Sequence, residues 1–281
     1  MSFFNKNITL NCQGRLVTLD EPKVMGILNV TPDSFYDGGK YNGDQAYLHQ
    51  VEKMLLEGAN FIDIGGMSSR PGAETITIEE ELNRVIAPIQ NILQRFPDTI
   101  ISIDTIHAKV AKAAVDSGAL IVNDISAGRL DSNMLATVGK LNVPYIAMHM
   151  KGEPNTMQSQ SNYENVSLEV LDYFIDITKK CRAAGIKDII IDPGFGFAKN
   201  LEQNYTLLNH LNDLDMLELP VLVGVSRKSM IYKLLESTAK EALNGSTALH
   251  MIALQKGASI LRVHDVKEAV ECVKIWKALQ N

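Results

Sequence analysis

Four polar residues have side chains that suit the edge of a flat heterocycle. They are Asp104, Asn123, Asp192 and Lys228, and each lies at the end of a short apolar run or just beyond it. Carboxylates supply pairs of hydrogen-bond acceptors, an amide both donates and accepts, and a lysine adds a cationic donor. This set matches a ring with N–H and amino donors next to a carbonyl acceptor. A single Asp after a strand is more often a turn or cap residue, so the prediction depends on the set.

A second group of residues, near the carboxyl terminus, suits an anion. Arg262 and His264 flank Val263, and an amphipathic helical pattern begins just after them. Guanidinium groups bind phosphates through paired hydrogen bonds, and the first N–H groups of a helix attract anions. The pattern therefore predicts a phosphate or diphosphate at one end of a pocket whose other end takes the heterocycle.

Two glycine-rich segments could cover this pocket. The first, residues 31–39, contains Phe35 and Asp37 among turn residues, and the second, residues 65–72, adds a cation. Segments of this kind close over reacting groups and exclude water in many enzymes. The composition of the first segment fits a plain surface loop equally well, so a lid is one of two interpretations.

Eight short apolar runs position these groups, and each run ends in a polar cluster. The runs are residues 24–29, 61–64, 100–104, 120–124, 144–148, 189–192, 220–225 and 260–263. Little polar alternation within a run is typical of a strand that is covered on both faces. The mean repeat is about 33 residues, close to the roughly 30 residues of one strand with its crossover helix.

Eight such units predict a single α/β domain over residues 1–281, a (β/α)8 TIM barrel. A short N-terminal β-hairpin that turns near Gly14 is expected to precede the first barrel strand. An open doubly wound sheet of six or seven units is the alternative. In a barrel, the carboxyl ends of all strands face one opening, so the eight polar clusters are expected to meet there.

Composition limits the partners of the chain and its location. The 281 residues have a net charge of −6, and this acidic balance argues against general binding of nucleic acid or anionic membranes. Uninterrupted apolar runs fall short of the roughly 18 residues of a membrane span, and the start of the sequence, residues 1–6, lacks the long apolar stretch expected of a signal peptide. Cys12, Cys181 and Cys272 are far apart and odd in number, which is typical of reduced thiols. We therefore expect a cytoplasmic protein that binds small molecules.

Five longer stretches resemble the dihydropteroate synthases, the pterin-binding barrel enzymes of folate biosynthesis. They are residues 25–35 (MGILNVTPDSF), 65–66 with 69–72 (GG and SRPG), 192–197 (DPGFGF), 223–229 (VGVSRKS) and 262–266 (RVHDV). The resemblance follows the family's order over nearly the whole chain. Matches in five separate strand ends and loops are far more specific than any one motif.

The resemblance implies that 6-hydroxymethyl-7,8-dihydropterin diphosphate condenses with 4-aminobenzoate to give 7,8-dihydropteroate and diphosphate. It assigns the pterin to Asp104, Asn123, Asp192 and Lys228, and the diphosphate to Arg262 and His264 with Asn29. Asn29 is the expected contact of Mg2+. The resemblance places Arg70, Pro71, Phe197 and Ser229 around the aminobenzoate, and it assigns a substrate hydrogen bond to Ser69. It assigns closure of the site to Phe35 and Asp37. It also implies dissociative substitution at the pterin methylene, a homodimer, and a target of sulfonamides.

Three residues depart from the family pattern. Met67 stands where the family commonly has Glu, Ser69 where it has Thr, and Tyr36 where it has Ser. Ser69 retains a hydroxyl, so its hydrogen bond is expected to remain. Any role of the missing Glu is not transferred to Met67, and discrimination between aminobenzoate and sulfonamides could differ.

Two rival functions and several structural interpretations stay open at this point. A methyltetrahydrofolate-dependent methyltransferase domain shares the barrel and the pterin pocket but has no use for a diphosphate site. A catalytically silent pterin-binding paralogue would retain the fold without turnover. Several polar residues also suit structural roles: a packed histidine, loop-tying carboxylates, and an arginine bonded to loop carbonyls, namely His149, Asp63, Asp124 and Arg227.

Overall fold

The computed structural model describes residues 8–31, 43–67, 76–152 and 160–280. Two short antiparallel strands come first, β1 (Thr9–Cys12) and β2 (Arg15–Thr18). Eight parallel strands follow: β3 (Lys23–Asn29), β4 (Phe61–Gly65), β5 (Ile101–Asp104), β6 (Ile121–Asp124), β7 (Tyr145–Met148), β8 (Ile189–Asp192), β9 (Leu222–Val223) and β10 (Ile260–Val263). Every apolar run that the sequence assigned to a strand overlaps one of these parallel strands.

The parallel strands form a nearly closed barrel. Neighbours pair in the order β8, β7, β6, β5, β4, β3, β10, β9, and Ile191 on β8 pairs with Val221 just before β9. The predicted barrel is confirmed, and the alternative open sheet is wrong. β9 is shorter than the predicted run because Pro220 has no N–H for the ladder, and because the Val225 carbonyl accepts the Lys228 N–H in a turn.

Helices cover the outside of the barrel. They are α1 (Gly43–Leu56), α2 (Ile78–Arg95), α3 (Ala108–Asp116), α4 (Met134–Leu141), α5 (Val166–Ala183), α6 (Leu201–Asn209), α7 (Ser229–Tyr232), α8 (Leu243–Gln255) and α9 (Val266–Ala278), with a 3-10 helix at Leu211–Leu217. Outward strand residues such as Ile64, Val122 and Leu261 are fully buried beneath them. None of the helices in the described ranges is long and apolar enough to span a bilayer.

The N-terminal hairpin covers the amino-terminal end of the barrel, as the sequence predicts. Its turn places Gln13 and Gly14 at positive φ, 51° and 93°, as a two-residue hairpin turn requires. Apolar residues of this segment pack with an inward layer of strand residues, which we call the floor: Leu10, Cys12 and Leu19 with Met25, Phe61, Ile100, Ile121, Ile146, Ile190, Leu222 and Ile260. This end of the barrel is therefore a solid apolar core.

The position of the floor fixes which later residues face the interior. Side chains alternate between the two faces of a strand, so residues two positions after a floor residue also point inward. These positions hold Ile27, Asp63, Ser102, Asn123, Met148, Asp192, Gly224 and Arg262. One further step along the strands reaches Asn29, Gly65, Asp104 and His264. Polar groups thus collect above the floor, towards the carboxyl ends of the strands.

Candidate active site

Arg262 connects strands on both sides of the barrel interior. From β10, its Nε donates to Asp63 Oδ2 on β4 at 2.6 Å, and its Nη2 donates to Asp104 Oδ2 on β5 at 2.7 Å. Asn123 Nδ2 on β6 donates to the same Asp63 oxygen at 3.0 Å. Three of the predicted residues therefore meet in one network. Asp63 is completely buried and joins two of them.

Asp192 and Lys228 lie on the other side of the same opening. The Asp192 carboxylate, at the end of β8, accepts the Gly194 N–H at 2.8 Å. Lys228 follows β9, donates to the Phe195 carbonyl, and places its Nζ 4.8 Å from the centre of the Phe197 ring. A cation at this distance from an aromatic face is favourable.

Gly224 shows that Lys228 and Arg262 border one space. A Cβ at position 224 would lie 3.9 Å from Lys228 Nζ and 3.9 Å from Arg262 Cβ. The two cationic side chains therefore flank the backbone of this residue at the end of β9. Asp104 and Asn123 join Arg262 in one hydrogen-bond network, and Asp192 and Lys228 lie close enough to Arg262 for its charge to act on their pKa values. The structure therefore brings the four residues assigned to the heterocycle together around Arg262.

Burial raises the pKa values of the acids in the pocket and lowers the pKa of its lysine. It raises the pKa of Asp104, and the adjacent Arg262 opposes this. Burial also raises the pKa of Asp192, opposed mainly by Lys228. The pKa of Lys228 falls to about 8 because the cation is buried, while Asp192 acts in the other direction. Buried acids next to cations are a common feature of catalytic sites.

The rim of the opening contains one residue predicted to hold the anion, His264, and the predicted metal contact, Asn29. His264, exposed just after β10, has its Nδ1 3.2 Å from Ser226 Oγ. Half-buried Asn29 ends β3 and is in register with Gly65, which is in register with Asp104. A Cβ on Gly65 would lie 3.5 Å from Asn29 Oδ1 and 3.7 Å from Asp104 Cβ. This glycine therefore leaves room between the two polar side chains.

An apolar wall lies beside these polar groups, near the ends of β6, β7 and β8. It comprises Ile125, Met148, Met150, Phe197 and Ala198, with Ile106 packed against them. A flat ring with polar edges needs such a surface beside its hydrogen-bonding groups.

Comparison with known proteins places this geometry in a family. The family model described as "Pterin binding enzyme" matches residues 25–264. The chain belongs to the pterin-binding enzyme family. This pterin-binding enzyme is 45% identical to the dihydropteroate synthase of Haemophilus influenzae over 97% of its own length and 99% of that relative.

Solved structures of similar proteins agree with the fold of this pterin-binding enzyme. One is the Xanthomonas albilineans dihydropteroate synthase with 4-aminobenzoic acid, with a TM-score of 0.91, 41% identity, and coverage of 98% and 99% of the two chains. Another is the Yersinia pestis dihydropteroate synthase in a sulfonamide drug complex, with a TM-score of 0.91, 43% identity, and coverage of 97% and 99%.

Five of the predicted site residues lie outside the described residues. They are Phe35, Asp37, Ser69, Arg70 and Pro71, and Tyr36 lies outside as well. Their assignments to closure and to aminobenzoate stay predictions. Met67 is described and half-buried, and the neighbouring Gly66 carbonyl accepts Arg84 Nη1 at 3.0 Å, which anchors the start of the second loop.

The structural interpretations of three polar residues are confirmed. His149 is a buried histidine bonded to Lys199, and Asp124 ties its own loop together through Ser126, Gly128 and Tyr145. Arg227 reaches the carbonyls of residues 239 and 240, and also forms a two-point ion pair with Asp265.

Asp63 is the residue whose sequence interpretation was wrong. It does not tie loops together but bonds Arg262 and Asn123 beneath the pocket. A signal was present in the sequence. Asp63 is a carboxylate inside the apolar run 61–64, two positions after Phe61 and therefore in phase with the barrel interior.

Proposed function

We propose that this enzyme condenses 6-hydroxymethyl-7,8-dihydropterin diphosphate with 4-aminobenzoate, giving 7,8-dihydropteroate and diphosphate. The observation that supports this most strongly is the clustering of five polar residues at the carboxyl ends of the strands, namely Asp104, Asn123, Asp192, Lys228 and Arg262. The close relatives of nearly equal length are dihydropteroate synthases, which agrees with the proposal.

The pterin ring occupies the space between Asp192, Asn123 and Lys228. The Asp192 carboxylate, oriented by the Gly194 N–H, accepts hydrogen bonds from the amino and ring N–H donors of the pterin. The Asn123 amide is oriented by its bond to Asp63, so its oxygen is available to the ring. Lys228 donates to a ring acceptor, and the apolar wall with Met148 packs against the ring face.

Substitution at the pterin methylene is dissociative. The C–O bond to the diphosphate breaks with both electrons leaving on oxygen, and the pterin ring delocalises the cationic charge that remains. Asp104 and Asp192 stabilise this cation, and Arg262 with His264 stabilises the departing anion. The neutral aniline nitrogen then forms the C–N bond and releases a proton.

We assign a magnesium ion to Asn29, because the donor set fits one that arrives with the diphosphate. Mg2+ in phosphate-transfer sites takes one or two protein oxygens together with phosphate oxygens and waters. Asn29 supplies an amide oxygen at the rim, and among the described residues no group of three or more His, Cys, Asp and Glu side chains is placed to hold a metal. When bound, the ion neutralises charge on the leaving diphosphate.

The aminobenzoate occupies the side of the cavity next to Phe197, with Ser229, Arg70 and Pro71 as its other contacts. Phe197 is buried beside Lys228, and half-buried Ser229 begins α7 immediately after Lys228. We assign Phe35, Asp37 and Ser69 to loops that cover the reacting groups and exclude water from the cation.

We further propose that the enzyme is a cytoplasmic homodimer. Buried free thiols at Cys12, Cys181 and Cys272 fit a reducing compartment. Ile252 on α8, with Ile275 on α9, exposes apolar surface away from the pocket that a second copy could cover. Light scattering on the purified protein tests this, and a monomer mass at micromolar concentration would contradict the dimer.

The decisive experiment measures diphosphate release and the organic product together. Release that requires both substrates, with 7,8-dihydropteroate identified by mass, supports the condensation. Methyl transfer from methyltetrahydrofolate without diphosphate release would favour the methyltransferase instead. Binding of the pterin diphosphate with no turnover at any magnesium concentration would favour the silent paralogue.

A further inference from the structure

Lys199 is a buried lysine next to the pocket, and its ammonium has three close partners. It is only 3% exposed. Its Nζ donates to the Gly194 carbonyl at 3.0 Å and to the Phe197 carbonyl at 3.1 Å, and lies 2.9 Å from His149 Nδ1. All three N–H groups of a lysine ammonium are therefore engaged.

His149 is in the state that makes this arrangement possible. The ring is 2% exposed, and burial, followed by the charge of Lys199, lowers its pKa to about 2. A neutral ring presents one bare nitrogen, so Nδ1 accepts the third ammonium proton and the other ring nitrogen carries the hydrogen. Burial also lowers the pKa of Lys199 to about 7, while Asp192 favours its charged form.

The partners of Lys199 belong to the loop that follows β8, residues 193–198. Lys199 holds the carbonyls of Gly194 and Phe197, and Lys228 holds the carbonyl of Phe195 between them. The two lysines thus bond three carbonyls of this loop. One of them, Lys228, is already assigned to substrate.

The loop conformation depends on close approach as well as on these bonds. Gly194 has a φ of 68°, and a Cβ there would lie 2.1 Å from the His149 carbonyl oxygen. The loop backbone therefore runs directly against β7. This contact brings His149 and the loop carbonyls to the same ammonium.

We propose that Lys199, oriented by His149, is a positioning residue that places Phe197 for the aminobenzoate half of the reaction. It acts through the loop and contacts no substrate. The proposal rests on the assignment of Phe197 to the aminobenzoate side of the cavity. Without the ammonium, the Gly194 and Phe197 carbonyls lose their shared donor, and Phe197 shifts relative to Lys228.

Substitution of Lys199 by Met tests this directly, because it removes the three bonds and retains the apolar stem. Misplacement of a substrate-positioning group by about 1 Å can cost up to about a hundredfold. We expect the KM for aminobenzoate to rise about tenfold, with a smaller change in the KM for the pterin diphosphate. Lys151→Met is the matched control, since Lys151 bonds the Asn162 carbonyl and Glu169 instead of the loop. If Lys199→Met lowered kcat while the KM values for both substrates stayed unchanged, the proposal would be overturned.

A pair of substitutions at His149 keeps the proposal testable if Lys199→Met does not fold. His149→Asn retains an acceptor near the position of Nδ1, whereas His149→Leu removes it. We expect a near-normal aminobenzoate KM in His149→Asn and a raised aminobenzoate KM in His149→Leu. Equal KM values in the two folded variants would overturn it. Phe197→Ala distinguishes failure of the site assignment from failure of the role of Lys199. An unchanged aminobenzoate KM in Phe197→Ala would refute the assignment of Phe197 to the aminobenzoate. A raised aminobenzoate KM in Phe197→Ala, together with a normal one in Lys199→Met, would refute only the role of Lys199.

Discussion

Asp63→Asn is the substitution that tests the polar network most severely. One oxygen of Asp63 accepts from Arg262 Nε at 2.6 Å and from Asn123 Nδ2 at 3.0 Å. Asparagine retains the size and one acceptor oxygen but removes the charge. Arg262 also bonds Asp104, so the guanidinium retains one ionic partner. We expect the barrel to stay intact, while Asn123 on the pterin side and Arg262 on the diphosphate side are held together less firmly.

The expected magnitude follows from the two bonds. Hydrogen bonds to charged groups contribute about 1.5–3 kcal/mol each. Because asparagine retains an acceptor but loses the charge, we expect the two bonds together to weaken by about 2 kcal/mol. This corresponds to about a 30-fold fall in kcat/KM for the pterin diphosphate, since each 1.36 kcal/mol is about a factor of ten. Diphosphate release at saturating aminobenzoate measures the effect.

Asp124→Asn is the matched control for this prediction. Asp124 is an equally buried carboxylate on β6, two strands along the barrel from β4, but it bonds Ser126, Gly128 and Tyr145 outside the pocket. We expect this variant to lower the melting temperature while kcat/KM stays close to that of the unsubstituted enzyme. Equal kcat/KM values in the Asp63 and Asp124 variants would refute the role of the network.

Three further changes have defined outcomes. Lys228 loses its proton as the pH rises through its pKa of about 8, so the KM for the pterin diphosphate should rise above that pH. Lys228→Met should remove this pH dependence, and a KM that stays constant from pH 7 to 9 in the unsubstituted enzyme would contradict the assignment. His264→Ala should lower kcat more than it raises either KM, because the ring acts on the leaving anion; unchanged single-turnover rates would count against it. Gly194→Ala should reduce the melting temperature and the aminobenzoate affinity together, since its Cβ meets the His149 carbonyl; wild-type values in calorimetry would show that the loop lies elsewhere.

The barrel could be predicted because its strands are short apolar runs buried on both faces. Runs such as Ile189–Asp192 are followed by turn residues, so the prediction and the structure share their bounds. β9 was overestimated because Val221, Val223 and Val225 are apolar whether or not they join a ladder. Apolar character reports burial, and burial extends beyond the paired residues of this strand.

The members of the site could be predicted individually, but their connections could not. Residue types identified Asp104, Asn123 and Arg262 as polar groups at strand ends. Nothing in the sequence showed that Arg262 reaches across the interior to two carboxylates, because that depends on barrel closure and side-chain length. The phase relative to the floor would have identified Asp63, since alternation makes it an inward residue.

Lys199 illustrates a second limit of the sequence. It follows the glycine-rich stretch 192–197, where a lysine is typical of an exposed loop. Its burial arises because Gly194 lets the loop lie against β7 and encloses the ammonium with His149. Only the packed structure places a cation among two carbonyls and a neutral ring.

A crystal structure with the pterin diphosphate bound tests the central claim most directly. We expect the pterin ring to bond Asp192 and Asn123, with its diphosphate beside His264 and Arg262. A ring bound elsewhere in the barrel, or one whose diphosphate points towards Asp192, would contradict it.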